Sequence, residues 1–190
     1  MKSLKALFLV AVLGVLSCAG IPKPETPQDT LVVGSFVLDF PDGFFDDPPR
    51  AITSGIELTI TNTTKDSSFS VRTGPNGYYS FLSNGSDSFS LTSFFYEEKT
   101  LSSRRATIHG TLDMPFETNA GQVRYVGKVT VIYQRPQRTY KNTGDRTIYW
   151  AFEPSVSSAN CRDEMIEYIK SMDPECEWLS RDVDEQILGH

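Results

Sequence analysis

The chain has 190 residues, 39% of them apolar and 22% charged, with 18 Lys and Arg against 24 Asp and Glu for a formal charge of −6. That length fits one domain or two small ones, and that composition excludes a disordered, collagenous or many-spanning membrane chain. The acidic balance argues against nucleic acid as a partner, because the one basic cluster, Arg135, Arg138 and Lys141, is too short to neutralise a run of phosphates.

At the N-terminus, Lys2 and Lys5 precede an apolar run from Ala6 to Leu16 that ends in Ser17-Cys18-Ala19-Gly20. A positive start, a short apolar stretch and a small-residue cleavage zone make a signal peptide over residues 1–17. The run is too short to cross a bilayer, which takes about 20 residues. Val15-Leu16-Ser17-Cys18 resembles the lipobox of bacterial lipoproteins, where a peptidase cuts before a cysteine that carries lipid. The resemblance implies that Cys18 is the first mature residue and the lipid attachment point, and that membrane contact is through this anchor. It also implies, with Ala19 rather than Asp after the cysteine, sorting to the outer membrane. Plain secretion with cleavage after Ala19 is the competing reading. Loss of residues 1–17 removes two lysines and takes the charge to −8.

Residues 18–30 continue with a Pro-rich polar stretch, Ile21-Pro22-Lys23-Pro24-Glu25-Thr26-Pro27. Such a stretch is expected to run as an extended, non-packing tether at about 3.1 Å per residue.

From Leu31 the apolar spacing has a period near two, broken by Gly, Pro, Asn and Ser clusters, as half-buried antiparallel strands require. Strands are expected over 31–40, 55–62, 68–73, 78–82, 89–96, 106–112, 123–133 and 147–152. The acidic stretch Asp39, Asp42, Asp46 and Asp47 has no calcium-loop spacing and three prolines, so it reads as a connection, with Phe44-Phe45 at its tip either folded onto the core or free for contact. Asn76-Gly77 between two alternating runs predicts a hairpin turn, since both residues tolerate positive φ. Tyr79 and Phe81 are expected in the core, with Tyr78 and Ser80 on the other face. His109 is expected to face solvent. It and His190 lie far apart, so no metal or other cofactor is expected. Seven or eight antiparallel strands with helix only at the end predict a mainly β protein, a β-sandwich domain over residues 31–154.

Gly55-Ile56-Glu57-Leu58-Thr59-Ile60, followed by Val71-Arg72-Thr73-Gly74-Pro75-Asn76-Gly77-Tyr78-Tyr79-Ser80-Phe81, resembles the core of carboxypeptidase regulatory-like domains, which belong with the transthyretin-like and prealbumin-like sandwiches. The shared pattern is an alternating apolar strand, a Thr, an amide and Gly turn, and an aromatic strand of the form Tyr-x-Phe. Gly121 to Val129 resembles the closing strands of lipoproteins built on this fold. The resemblance implies an accessory or interaction module with no catalytic residues to carry over.

Residues 155–190 form a helical segment by their spacing. Met165, Ile166, Ile169 and Met172 fall on one face of a helix over 161–171. Asp173-Pro174 is expected to end it and cap a second helix carrying Trp178, Leu179, Val183, Ile187 and Leu188. Cys161 and Cys176 remain once Cys18 is set aside. A disulfide between them requires the helix to end near Lys170 and the chain to double back. The expected function is a non-catalytic, lipid-anchored envelope module that binds or scaffolds an envelope protein or polysaccharide. The alternatives are a carbohydrate-binding or surface-attachment module and a carboxylate-dependent hydrolase.

Overall fold

The computed structural model describes residues 20–43, 48–99, 105–134 and 155–189. The strands expected at 147–152, the Phe44-Phe45 pair, Asp46, Asp47, the basic cluster at 135–141 and Cys18 all lie outside the described residues. Ten strands and one α-helix occur among them.

Two sheets face each other. One is antiparallel throughout: β4 (Ser67–Arg72), β3 (Glu57–Asn62), β6 (Ser88–Lys99) and β7 (Arg105–Glu117), in that order. The other is centred on β1 (Asp29–Phe40) and β8 (Val123–Ile132), which run parallel to each other. Along the free edge of β1 lie β5 (Tyr78–Asn84) and then β2 (Arg50–Ile52). Along the free edge of β8 lie β10 (Val183–Glu185), also parallel, and then β9 (Ser155–Ala159). The expected sandwich is therefore present, but its pairing is mixed rather than wholly antiparallel. The excursion through β2 to β7 is long enough to bring the chain back beside β1 in the same direction, which no short turn could do.

β1 is buried on both faces. Val32, Phe36, Leu38 and Phe40 enter the core between the sheets with Leu58, Ile60, Leu91 and Phe94. Leu31 and Val33 point the other way, into a second cluster built by Val123, Tyr125, Met165, Ile169 and Trp178. β8 serves both clusters through a bulge. Its register against β1 shifts between Val33 and Ser35, where β8 passes from Tyr125 to Lys128 and Gly127 takes a φ of 82°. Val123 and Tyr125 face the second cluster before the shift, and Val129 and Val131 face the inter-sheet core after it. One extra residue reverses which side chains point inward, as a period of two demands.

The helix α1 (Arg162–Met172) lies over the outer face of the β1/β8 sheet and supplies Met165 and Ile169 to the second cluster. Asp163 and Glu164 in its first turn and Lys170 in its last suit the helix dipole. Asp173 ends this helix rather than starting the next: its N–H bonds to the Ile169 carbonyl and its Oδ1 accepts the Glu175 N–H at 3.1 Å. The second helix expected after it is absent. Glu177–Ser180 makes a single 3-10 turn that buries Trp178, and Val183–Glu185 then joins the sheet as β10. The edge of β8 offers unpaired backbone groups there, and a strand satisfies them where a helix could not.

The Asn76-Gly77 turn differs in the same way. Asn76 and Gly77 take the positive φ values expected, 60° and 84°. Yet β4 pairs with β3 and β5 with β1, so the turn crosses between sheets instead of closing a hairpin. Phe69, which is exposed, then lies edge-on to Phe81 of the core, ring centroids 5.1 Å apart. Gly77 is pressed against β1: a Cβ there would lie 2.7 Å from the Phe36 carbonyl oxygen.

Candidate functional site

Two features outside the core bring together residues from distant parts of the chain. The first is the attachment of the N-terminal segment. Ile21 packs against the second cluster, and Trp178 Nε1 donates to the Pro22 carbonyl at 2.7 Å. Asp29 closes a tight turn by accepting the N–H groups of Glu25 and Thr26 at 2.7 and 2.8 Å and the Thr26 hydroxyl at 2.8 Å. Those Thr26 bonds, the Glu25 N–H and the Arg181 charge hold the Asp29 carboxyl below its ordinary value, against the opposing effect of burial. The Arg181 guanidinium donates to the Asp29 carbonyl at 2.8 Å and stands 4.4 Å from the Trp178 ring centroid. The segment from 21 to 29 is therefore fastened to the body, and the expectation of a non-packing spacer does not hold there. A Pro-rich segment held by hydrogen bonds carries no signal of it in composition, since the partner Trp178 is 156 residues away.

The second feature is an open groove of ≈ 580 Å³ between the outer face of the β1/β8 sheet and α1. It is lined by Ser35, Thr53, Asn76 and Lys128 and, from the helix, by Glu164, Glu167 and Tyr168. Tyr78 and Tyr168 stack with centroids 4.2 Å apart and rings within 10° of parallel. Burial, aided by Glu164, pushes the Tyr78 phenol up to about 12, and burial raises that of Tyr168, so both rings present hydroxyl donors at neutral pH. Glu164 and Glu167 lie one turn apart on the same helix, and Glu167 Oε1 is 3.0 Å from Lys170 Nζ. The groove thus offers carboxylates along one wall, a lysine, an amide and hydroxyls around an aromatic pair. That set can hold a ligand rich in hydroxyl or amide groups. Acid–base work on a glycosidic bond takes two carboxylates on either side of it, and these two share a side.

Tyr79 and Phe81 lie in the inter-sheet core as expected, and His109 is exposed. Among the described residues no group of three or more His, Cys, Asp or Glu could hold a metal ion, and no helix is long and apolar enough to cross a membrane.

Cys161 and Cys176 are free. The helix between them runs to Met172, so Cys161 and Asp173 are about 18 Å apart at ~1.5 Å per residue. The turn from Asp173 to Cys176, closed by a 3.1 Å backbone bond, recovers at most about 7 Å of that. At least about 11 Å then separates the two Cα atoms, beyond the ~7 Å that a disulfide spans. The early helix end that the bond required does not occur.

No protein-family model matches this chain, and no curated protein matches it significantly. What can be said of its function rests on its own residues.

Proposed function

We propose that this chain is a non-catalytic binding or scaffolding module held to a bacterial envelope membrane by lipid on Cys18, with the groove between β1 and α1 as the place where its partner sits. The observation that carries the reading is the N-terminal pattern, Lys2 and Lys5, the apolar run from Ala6 to Leu16, and Ser17-Cys18 directly after it. A two-sheet sandwich supports it, being the architecture that the carboxypeptidase regulatory-like resemblance implies for an accessory module. Ala19 following the cysteine favours the outer membrane.

The test is labelling with an alkyne analogue of palmitate in a bacterial host, followed by detergent phase partition. The wild-type chain is expected to take up label and enter the detergent phase, and Cys18→Ser to do neither. Unlabelled wild-type protein in the aqueous phase would overturn the reading.

A polysaccharide partner is favoured over a protein by one observation. The groove sets Asn76, Ser35, Thr53, Glu164 and Lys128 around the Tyr78–Tyr168 pair, a mixture that suits hydroxyl-rich rings. Retention on an immobilised polysaccharide that is lost in Tyr168→Ala supports it. Equal retention of the two proteins counts against the groove as its site.

A further inference from the structure

The two ends of the sandwich differ in which chain segments they gather. At one end β1 begins opposite the end of β5, Asp29 across from Asn84, and β8 and β10 begin together at Val123 and Val183. The loops of the facing sheet close over the same end. Thr118 N–H bonds to the Asp87 carbonyl at 2.9 Å, Gly121 N–H to the Gln28 carbonyl at 3.2 Å, and the Thr30 hydroxyl to the Asn119 carbonyl at 2.6 Å. Asn62 Nδ2 and Lys65 Nζ both reach Asp87, which brings the turn after β3 there too. At the other end Phe40 pairs with Arg50, Asp39 with Ile132, and Lys99 with Arg105.

The N-terminal segment is fastened beside the first end. Arg181 donates to the Asp29 and Gly121 carbonyls and stacks on Trp178, which in turn holds Pro22. Four residue steps remain between Pro22 and Cys18, a reach of about 14 Å at full extension. A free spacer over residues 18–30 would have reached about 37 Å at ~3.1 Å per residue. β1 alone, with 12 residues, measures about 36 Å along the sandwich at ~3.3 Å per step. The fastened leash cannot carry the lipid to the far end, whereas a free one could.

We propose that the bilayer surface is the partner of the end formed by the 63–66, 84–88 and 118–122 loops, so that the body stands on the membrane by that end with its far end turned away. This rests on the lipidation of Cys18. The experiment uses full-length protein extracted from host membranes and returned to phosphatidylethanolamine–phosphatidylglycerol vesicles with nitroxide-labelled headgroups. A dye is placed by a genetically encoded amino acid at Asn119 or at Thr107, exposed positions toward opposite ends. Quenching is expected to be several-fold stronger at 119 than at 107, and the difference is expected to shrink in Trp178→Phe, where the fastening is weakened. Equal quenching at the two positions in vesicle-bound protein, or stronger quenching at 107, overturns the orientation while leaving the lipid reading intact. Protein that fails to sediment with the vesicles and carries no lipid on Cys18 overturns both.

Discussion

Trp178 and Pro22 are joined by a 2.7 Å hydrogen bond from the indole Nε1 to the carbonyl, and this bond ties the last element before the C-terminal strand to the start of the described chain. Trp178 is 1% exposed. Replacing it with Phe keeps most of the packing and removes the donor, so stability is expected to fall by about 1 kcal/mol. Trp178→Ala also empties the second cluster and is expected to cost about 3–5 kcal/mol. Hydrogen exchange checks the mechanism: in Trp178→Phe the amides of Glu25 and Thr26 exchange faster while those of β6 and β7 do not.

The turn at Asp29 is expected to be acid-sensitive. Its carboxyl is held below the ordinary value chiefly by the backbone N–H and hydroxyl of Thr26. A depressed carboxyl contributes stability above its unfolded value of about 3.9, and that contribution is lost as pH falls through the folded value. Proteolysis within residues 21–28 is therefore expected to accelerate below about pH 4, and Asp29→Asn to cleave readily at neutral pH with a flatter dependence on acid. A wild-type cleavage rate that does not change across that range would contradict the role given to Asp29.

Tyr79 sits against Gly34, its register partner across β1 and β5. The Tyr79 hydroxyl is buried without a hydrogen-bond partner, and a Cβ on Gly34 would lie 2.6 Å from it and 2.7 Å from Val126. Tyr79→Phe relieves an unsatisfied group and is expected to raise stability by about 1 kcal/mol. Gly34→Ala forces the ring and Val126 aside and is expected to lower it by about 1–3 kcal/mol. Denaturant midpoints of the two variants should move in opposite directions.

Two free thiols are expected per mature chain. Alkylation in denaturant without reductant should label both Cys161 and Cys176. In the folded protein Cys161, which is partly exposed, should react before Cys176, which is buried. Labelling that appears only after reduction would mean that α1 ends earlier than Met172.

Alternation was a good guide wherever a strand buries one face. The boundaries of β3 to β5 differ from the sequence-based expectation by at most two residues, because Leu58, Ile60, Tyr79 and Phe81 sit at inward positions in strands six or seven residues long. The helix was legible through Met165 and Ile169, four apart on one face. Three short strands were not. β9 reads Ser155-Val156-Ser157-Ser158-Ala159 with no buried residue, so no apolar pattern marks it, and it exists because the edge of β8 is there to pair with. Which sheet β4 and β5 join was equally hidden, since a turn with positive φ at Asn76 and Gly77 serves a hairpin or a crossing alike. The groove had no local signal at all: β1, the 53 and 76 turns, β8 and α1 each supply residues, and only the fold assembles them.

The groove is open to a direct check. Lys128→Glu adds a third carboxylate beside Glu164 and Glu167, and is expected to weaken binding of an acidic polysaccharide about tenfold while leaving the denaturant midpoint nearly unchanged. Unaltered binding would place the ligand elsewhere.

The proposed anchoring turns on one covalent modification, and intact mass of the N-terminal peptide from protein extracted from bacterial membranes reads it directly. A peptide that begins at Cys18 and carries diacylglyceryl and acyl groups is the expected result. A peptide that begins at Gly20 without lipid, or one that still contains residues 1–17, would contradict it.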